Sequence, residues 1–453
     1  MSMRIGTGLS LLVLLGALTA CGSAALRAAE QGDQAKLRSE ISDKHSRGKL
    51  TNDEAAELAR AVAEREISTA KDEKTALARL QETRACSADL DDALSARMKT
   101  RDGAGAEAAL TLYEDGKLSD GTARDWLGDQ DDRWRAVGTH TLHRDDDRAA
   151  RQKAFLDPSP RVRRAAISAS SKAHDAADLD PLMEVARVDP DLLLRNHAIR
   201  ASGSIVRGLG DSGKTRAAEL SVRLRDIWTS GDDAVREDIA VAWALTPVWE
   251  NGGREALRNA IGDGKGAGSI AAAGVVSRTR NEDTELGPSA NALLARTIES
   301  GSYRERLHAL AVGRLDGTQL EAIRKAAKEE DREIRIAALA RLVHAKADRD
   351  AALKELTALA SFGVKGSPTA NSDDGHAREV ASRARFALAN AGELRVQAWI
   401  EEDLSSNDPN RRAQAASALA ALGRSARGAP LLADADASVR TRAACTLIVA
   451  ARR

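Results

Sequence analysis

From about Trp126 onward, apolar positions return in a fixed register behind an acidic or hydroxylic residue. In Asp157-Pro158-Ser159-Pro160-Arg161-Val162-Arg163-Arg164-Ala165-Ala166-Ile167 an apolar residue follows the Asp by five positions, an Arg by six and an Ala by nine. The register recurs as Asp129, Trp134, Arg135; as Asp189, Leu194, Arg195, Ala198, Ile199; as Glu329, Ile334, Arg335, Ala338, Leu339; and as Asp434, Val439, Arg440, Ala443. Weaker copies carry Val235-Arg236, Glu305-Arg306 and Arg412 with Ala415. Apolar residues at the fifth, ninth and tenth places fall on one helical stripe. Asp157, with Pro158 behind it, is expected to cap that helix, the Pro fitting a first turn where its missing N–H costs nothing. The spacing is 28 residues from 129 to 157 and 32 from 157 to 189. A period of about 30–40 residues predicts stacked helix pairs. One pair cannot bury its stripe alone, so stacking is required and both end repeats need polar caps.

Residues 21–125 are also helical by pattern but lack this register. Ala28-Ala29-Glu30-Gln31-Gly32-Asp33, followed by Leu37 and Ile41, is faintly similar to an ankyrin helix pair. The run Gly262 to Gly268 interrupts the repeat, leaving 251–300 either a loop or a degenerate copy. Phe362 to Gly375 reads as a long exposed loop. The chain opens with Arg4, an apolar run from Leu9 to Leu18, and small residues, the layout of a signal peptide. That run is too short to cross a ~30 Å hydrocarbon core. Leu18-Thr19-Ala20-Cys21 resembles the lipobox of bacterial lipoproteins. The resemblance implies that residues 1–20 are removed, that Cys21 is acylated, and that the mature protein is held in the cell envelope, at the outer membrane if two membranes are present. The other cysteines, Cys86 and Cys445, lie near opposite ends of the chain. In an elongated array they are expected to be free buried thiols.

The Asp, Val-Arg and Ala-Ala spacing over 126–453 resembles HEAT repeats, including the bilin-lyase-like subtype. The resemblance implies an all-α fold, an α-α superhelix with an N-terminal helical region. It also implies a ladder between successive repeats made by Asp157 with Arg163, Asp189 with Arg195, Glu329 with Arg335, and Asp434 with Arg440. Members of the family mostly present binding surfaces.

Composition narrows the chemistry. Aromatic residues are 2% of the chain, so the buried layer is built from small aliphatic side chains, which favours close-packed helices. Lys plus Arg and Asp plus Glu each number 68, unlike the basic footprint of a nucleic-acid binder. Gly208-Leu209-Gly210-Asp211-Ser212-Gly213-Lys214-Thr215 matches G-x-x-x-x-G-K-[ST]. A phosphate-binding loop must join a buried strand to a helix, whereas Leu192 to Val206 upstream follows the helical register. His140 and His143, beside Asp145 to Asp147, read as a solvated pair, because zinc needs three or four convergent ligands. No metal, cofactor or small-molecule substrate is expected, and no catalytic constellation is visible. Trp228, Trp243 and Trp249 cluster where aromatics are otherwise scarce, as core filling or as anchors for a partner. The expectation is a non-enzymatic, lipid-anchored scaffold for an unidentified protein partner. The alternatives are a structural subunit of an envelope complex, or a nucleotide binder using Gly208 to Thr215.

Overall fold

The computed structural model describes residues 23–230, 233–264, 266–369, 372 and 374–452. The signal segment and Cys21 lie outside the described residues. Within them the chain is all-α, with no strand and no helix long and apolar enough to cross a membrane. Three helices lead: α1 (Ala24–Gln31), α2 (Gln34–Ser46) and α3 (Asn52–Thr69). The helices that carry the repeat register follow as α4 (Asp132–Thr139), α5 (Pro160–Ala173), α6 (Leu192–Gly208), α7 (Asp233–Ala244), α8 (Gly266–Thr279), α9 (Tyr303–Val312), α10 (Arg332–Leu342), α11 (Gly375–Asn390), α12 (Pro409–Ala421) and α13 (Ala437–Ala451).

Each of these ten starts three residues after the register's first position, which is 129, 157, 189, 230, 263, 300, 329, 372, 406 and 434 in turn. Helices at the register's spacing therefore continue through 251–300, although Gly268 and Ser269 stand at the fifth and sixth places. That stretch is a degenerate repeat, its Gly run making the turn into α8 through the left-handed Gly264. Val162, Leu194, Ile334 and Val439 at the fifth place are buried, as are Ala166, Ala198, Ala338 and Ala443 at the ninth. Of Phe362 to Gly375, residues 362–369 run through turns and Gly375 begins α11.

The cap lies elsewhere than expected. Ser159, Asp191 and Asp436, two residues after the acid, accept the N–H groups of the first turn, and Pro160 rather than Pro158 is the first helical residue. Asp157 Oδ1 instead accepts from the N–H of Ser159 at 2.8 Å. Its carboxylate bends the chain into the cap, which leaves it able to meet a second donor.

The chain divides into two compact units. In one, residues 97–399, α4 to α11 stack side by side, backed by intervening helices such as Leu179–Val188 and Leu286–Ser300. Its first core places Trp134 against Ala106, Ala109 and Tyr113. A boundary at 126 would cut that core, so residues 97–125 belong with the repeats that follow.

The other unit joins residues up to 96 with 400 onward. Here α3 lies along α13, and α2 lies against the 3-10 segment Ser425–Ala433. Cys86 and Cys445 form a disulfide, their Cα atoms 5.4 Å apart. The expectation of free, distant thiols is thereby overturned, because the N-terminal helices pack against the final repeats within one unit. Arg452 pairs with Asp89, Ser438 with Glu82, and Asn52 Oδ1 accepts from the N–H of Ala426 at 3.0 Å.

Candidate functional site

The register's Arg is a two-way clamp. Arg163 Nη1 donates back to the carbonyl of Asp157 at 2.9 Å, while Nε and Nη2 reach forward to both oxygens of Asp189 at 2.8 and 3.1 Å. Such a fork on a carboxylate is among the stronger hydrogen-bonded pairs. Arg135 does the same toward Asp157, and Arg412 toward Asp434. Arg306 meets Glu329. Arg440 Nη1 donates to the carbonyl of Asp434 at 2.7 Å, and its Nε meets Glu66 Oε1 on α3 at 2.8 Å. Glu66 thus stands where a further repeat would supply its acid. The carboxylates of Asp157 and Asp189 are each held by the Arg of the preceding repeat; Arg163 meets Asp157 only at its backbone carbonyl, and Arg195 does not meet Asp189. Two expected members do otherwise: Arg195 meets the carbonyl of Ala186 at 3.0 Å, and Arg335 pairs with Glu355.

A second set of arginines, which the register does not mark, secures the other ends of the same helices. Arg280 donates to the carbonyl of Ala244, Arg314 to that of Ser277, and Arg341 to that of Gly313. Each reaches the C-terminal end of the preceding register helix, where carbonyls lack helical partners. Burial and the nearby Arg278 push the Arg341 guanidinium down from its ordinary value.

The tryptophans divide. Trp243 is 1% exposed, with its N–H on the carbonyl of Ser221, so it is core and cannot touch a partner. Trp228 stacks at a tilt on it, 5.1 Å between centroids, beneath Arg236, and Trp249 lies under Arg280. Both are half-buried.

Gly208 to Thr215 is the end of α6, a 3-10 turn and the start of the helix Lys214–Ser230. Lys214 is exposed and meets Asp211 at 3.4 Å; no strand leads into the turn. His140 and His143 are not a solvated pair, since His140 is buried and His143 Nε2 meets Asp120 at 3.1 Å. Among the described residues no group of His, Cys, Asp and Glu converges as a metal site.

What the repeats present outward is apolar at two equivalent places. Leu156 and Val188, each immediately before a ladder acid, are 85% and 53% exposed, and Leu193 on the first turn of α6 is 56% exposed. The rungs Arg135–Asp157 and Arg163–Asp189 hold the turns in which Leu156 lies and that Val188 and Leu193 flank.

No family model matches the sequence, and no curated protein matches it. Among solved structures, an engineered protein from a structural genomics consortium aligns over 80% of this chain and 98% of its own, at 17% identity and a TM-score of 0.29. Importin beta aligns over 92% of this chain and 69% of its own, at 11% identity and a TM-score of 0.43. Kap121p aligns over 90% and 47%, at 12% identity and 0.32, so this chain spans about half its length. Likenesses at these scores carry no argument about function, and the fold stands on the stacking and rungs described above.

Proposed function

We propose that this protein is a HEAT-like, lipid-anchored scaffold of the cell envelope that binds a partner protein through the loop edge of residues 97–399. The observation that carries the reading is the placement of Leu156, Val188 and Leu193, apolar and exposed in or directly beside the turns that the charged rungs hold. Isolated exposed apolar residues need no explanation, but recurrence at one register position with fixed backbones is what a binding edge requires. Acylation at Cys21 supplies the anchor, and the disulfide between Cys86 and Cys445 suits an oxidising compartment outside the cytoplasm. A photo-crosslinking side chain at 156 or 188 in living cells is expected to capture one discrete partner, while the same group at exposed Glu219 captures none. Equal labelling from all three positions would remove the scaffold reading. Mass spectrometry of the mature N-terminus tests the anchor separately, a free Cys21 amine without acyl chains being the adverse result.

A further inference from the structure

Within the unit that holds α1 to α3 and α13, a small cavity of about 140 Å3 lies among Gly32, Gln34, Val62, Arg65, Glu66 and Arg440. Most of its polar side chains are already matched. Arg440 Nε and Nη2 meet Glu66 Oε1 at 2.8 and 2.6 Å, and Gln34, with its amide oxygen turned toward Arg440, accepts from Nη1 and Nη2 at 3.0 and 3.3 Å. The Thr69 hydroxyl donates to the carbonyl of Arg65 at 2.8 Å. The Arg65 side chain is the exception. Its Nε is fully buried, yet no acceptor meets it among the described residues, and no carboxylate there pairs with its guanidinium. The group is nonetheless seated, because it lies against Gly32, whose φ is +70° and where a Cβ would overlap it. With Arg440 balanced by Glu66, the wall of the cavity carries one positive charge that nothing on it neutralises.

We propose that this cavity binds a small oxyanion of the size of phosphate, held on the Nε edge of Arg65. The site is separate from the loop edge of residues 97–399 and does not depend on the scaffold reading. A buried N–H without an acceptor is costly, and so is a partly buried charge without a counter-charge. A water would answer the N–H and leave the charge; an oxyanion answers both. A guanidinium presents parallel N–H groups that match two oxygens of one oxyanion, which makes this the residue type suited to the task. The volume sets the class of ligand, since it falls well below the about 300 Å3 at which pockets for larger organic molecules begin.

The test is titration calorimetry of the mature protein with inorganic phosphate, at an ionic strength held constant with chloride. Saturable one-site binding is expected, weakened at least about tenfold in Arg65→Gln. Arg47→Gln, which alters only an exposed pair with Asp43, should leave the affinity unchanged. Should Arg65→Gln fail to fold, Arg65→Lys keeps the charge and removes the Nε, and a loss of affinity is expected of it as well. Glycerol 3-phosphate in place of phosphate separates two sources of the same chemistry: equal or tighter binding assigns the site to a phosphate ester such as a lipid headgroup, weaker binding to the free ion, and either result sustains the site. Absence of saturation, a heat that chloride alone reproduces, or an affinity unaltered by substitution of Arg65 overturns the proposal.

Discussion

Between α5 and α6 the neighbouring helices are joined by Arg163, which grips Asp189 and the backbone of its own loop. Between α8 and α9 no such rung exists, yet the stack continues. There α8 is buried from Gly268 to Ser277, its small side chains admitting neighbours closely. A Cβ on Gly274 would stand 2.7 Å from Val312 on α9. One joint relies on a directional charged clamp at the helix start, the other on close apposition along the helix. The difference teaches that the register's Arg and Asp are one of two ways to hold a repeat. At a third joint α13 is clamped to α3 through Arg440 and Glu66 and is tied by the disulfide to the 3-10 segment Arg84–Asp89.

That third joint offers the largest perturbation. Replacing Cys86 and Cys445 together by Ser is expected to destabilise the unit containing α3 and α13 by about 2–5 kcal/mol, because the bond closes a very long loop. In a chemical melt the first transition should move to lower denaturant while the transition of residues 97–399 stays in place; movement of both together would show that the two units do not unfold separately.

Next comes Arg163→Ala, which leaves Asp189 in a largely buried place without its counter-charge. A cost of about 2–3 kcal/mol is expected, against less than about 1 kcal/mol for Arg195→Ala, whose side chain meets only one carbonyl. Matching losses for the two variants would contradict the clamp geometry.

At the rungless joint, Gly274→Ala is expected to cost about 1–2 kcal/mol despite the better helix propensity of Ala, since the β-branched Val312 has little freedom to move aside. A gain in stability would mean that α8 and α9 are not closely apposed.

The smallest effect is in acid. Two hydrogen bonds from Arg124, each 2.8 Å, hold the Asp147 carboxyl below the usual carboxylate range. A depressed folded pKa contributes stability above the unfolded value of about 4 and loses it as pH falls through the lower folded value. Melting temperature should therefore be flat from neutral pH to about 5 and decline below about 4, less steeply in Arg124→Gln than in the parent. Identical slopes would assign the acid sensitivity to other carboxylates.

The helix stripes were legible because local periodicity encodes them: Val162, Ala166 and Ile167 announce α5 before any contact is known. The ladder residues were legible as residue types, but their direction was not, since a spacing of six cannot say whether a guanidinium reaches its own loop, the next, or both. The cap was misplaced for a related reason, Asp157 and Ser159 both being good cap residues two places apart. Nothing periodic links Cys86 to Cys445 or Glu66 to Arg440, so the pairing of the first helices with the last repeats had no local signal. The carbonyl-binding arginines Arg280, Arg314 and Arg341 escaped notice because they sit at unequal distances from their helices' register. The loop-edge leucine and valine carried a sequence signal that could have been read, namely an apolar residue directly before the ladder acid.

The pairing of α3 with α13 also sets an order of events during biosynthesis. A nascent chain makes α1 to α3 early, and the whole of residues 97–399 must be made before the helix that covers their apolar side exists. Until then Leu58, Val62 and Ile67, buried in the finished protein, lack part of their cover and are open to chaperones or proteases. A chain that stops short of residue 437 lacks the helix that lies along α3, and with it part of the cover over the chain's beginning.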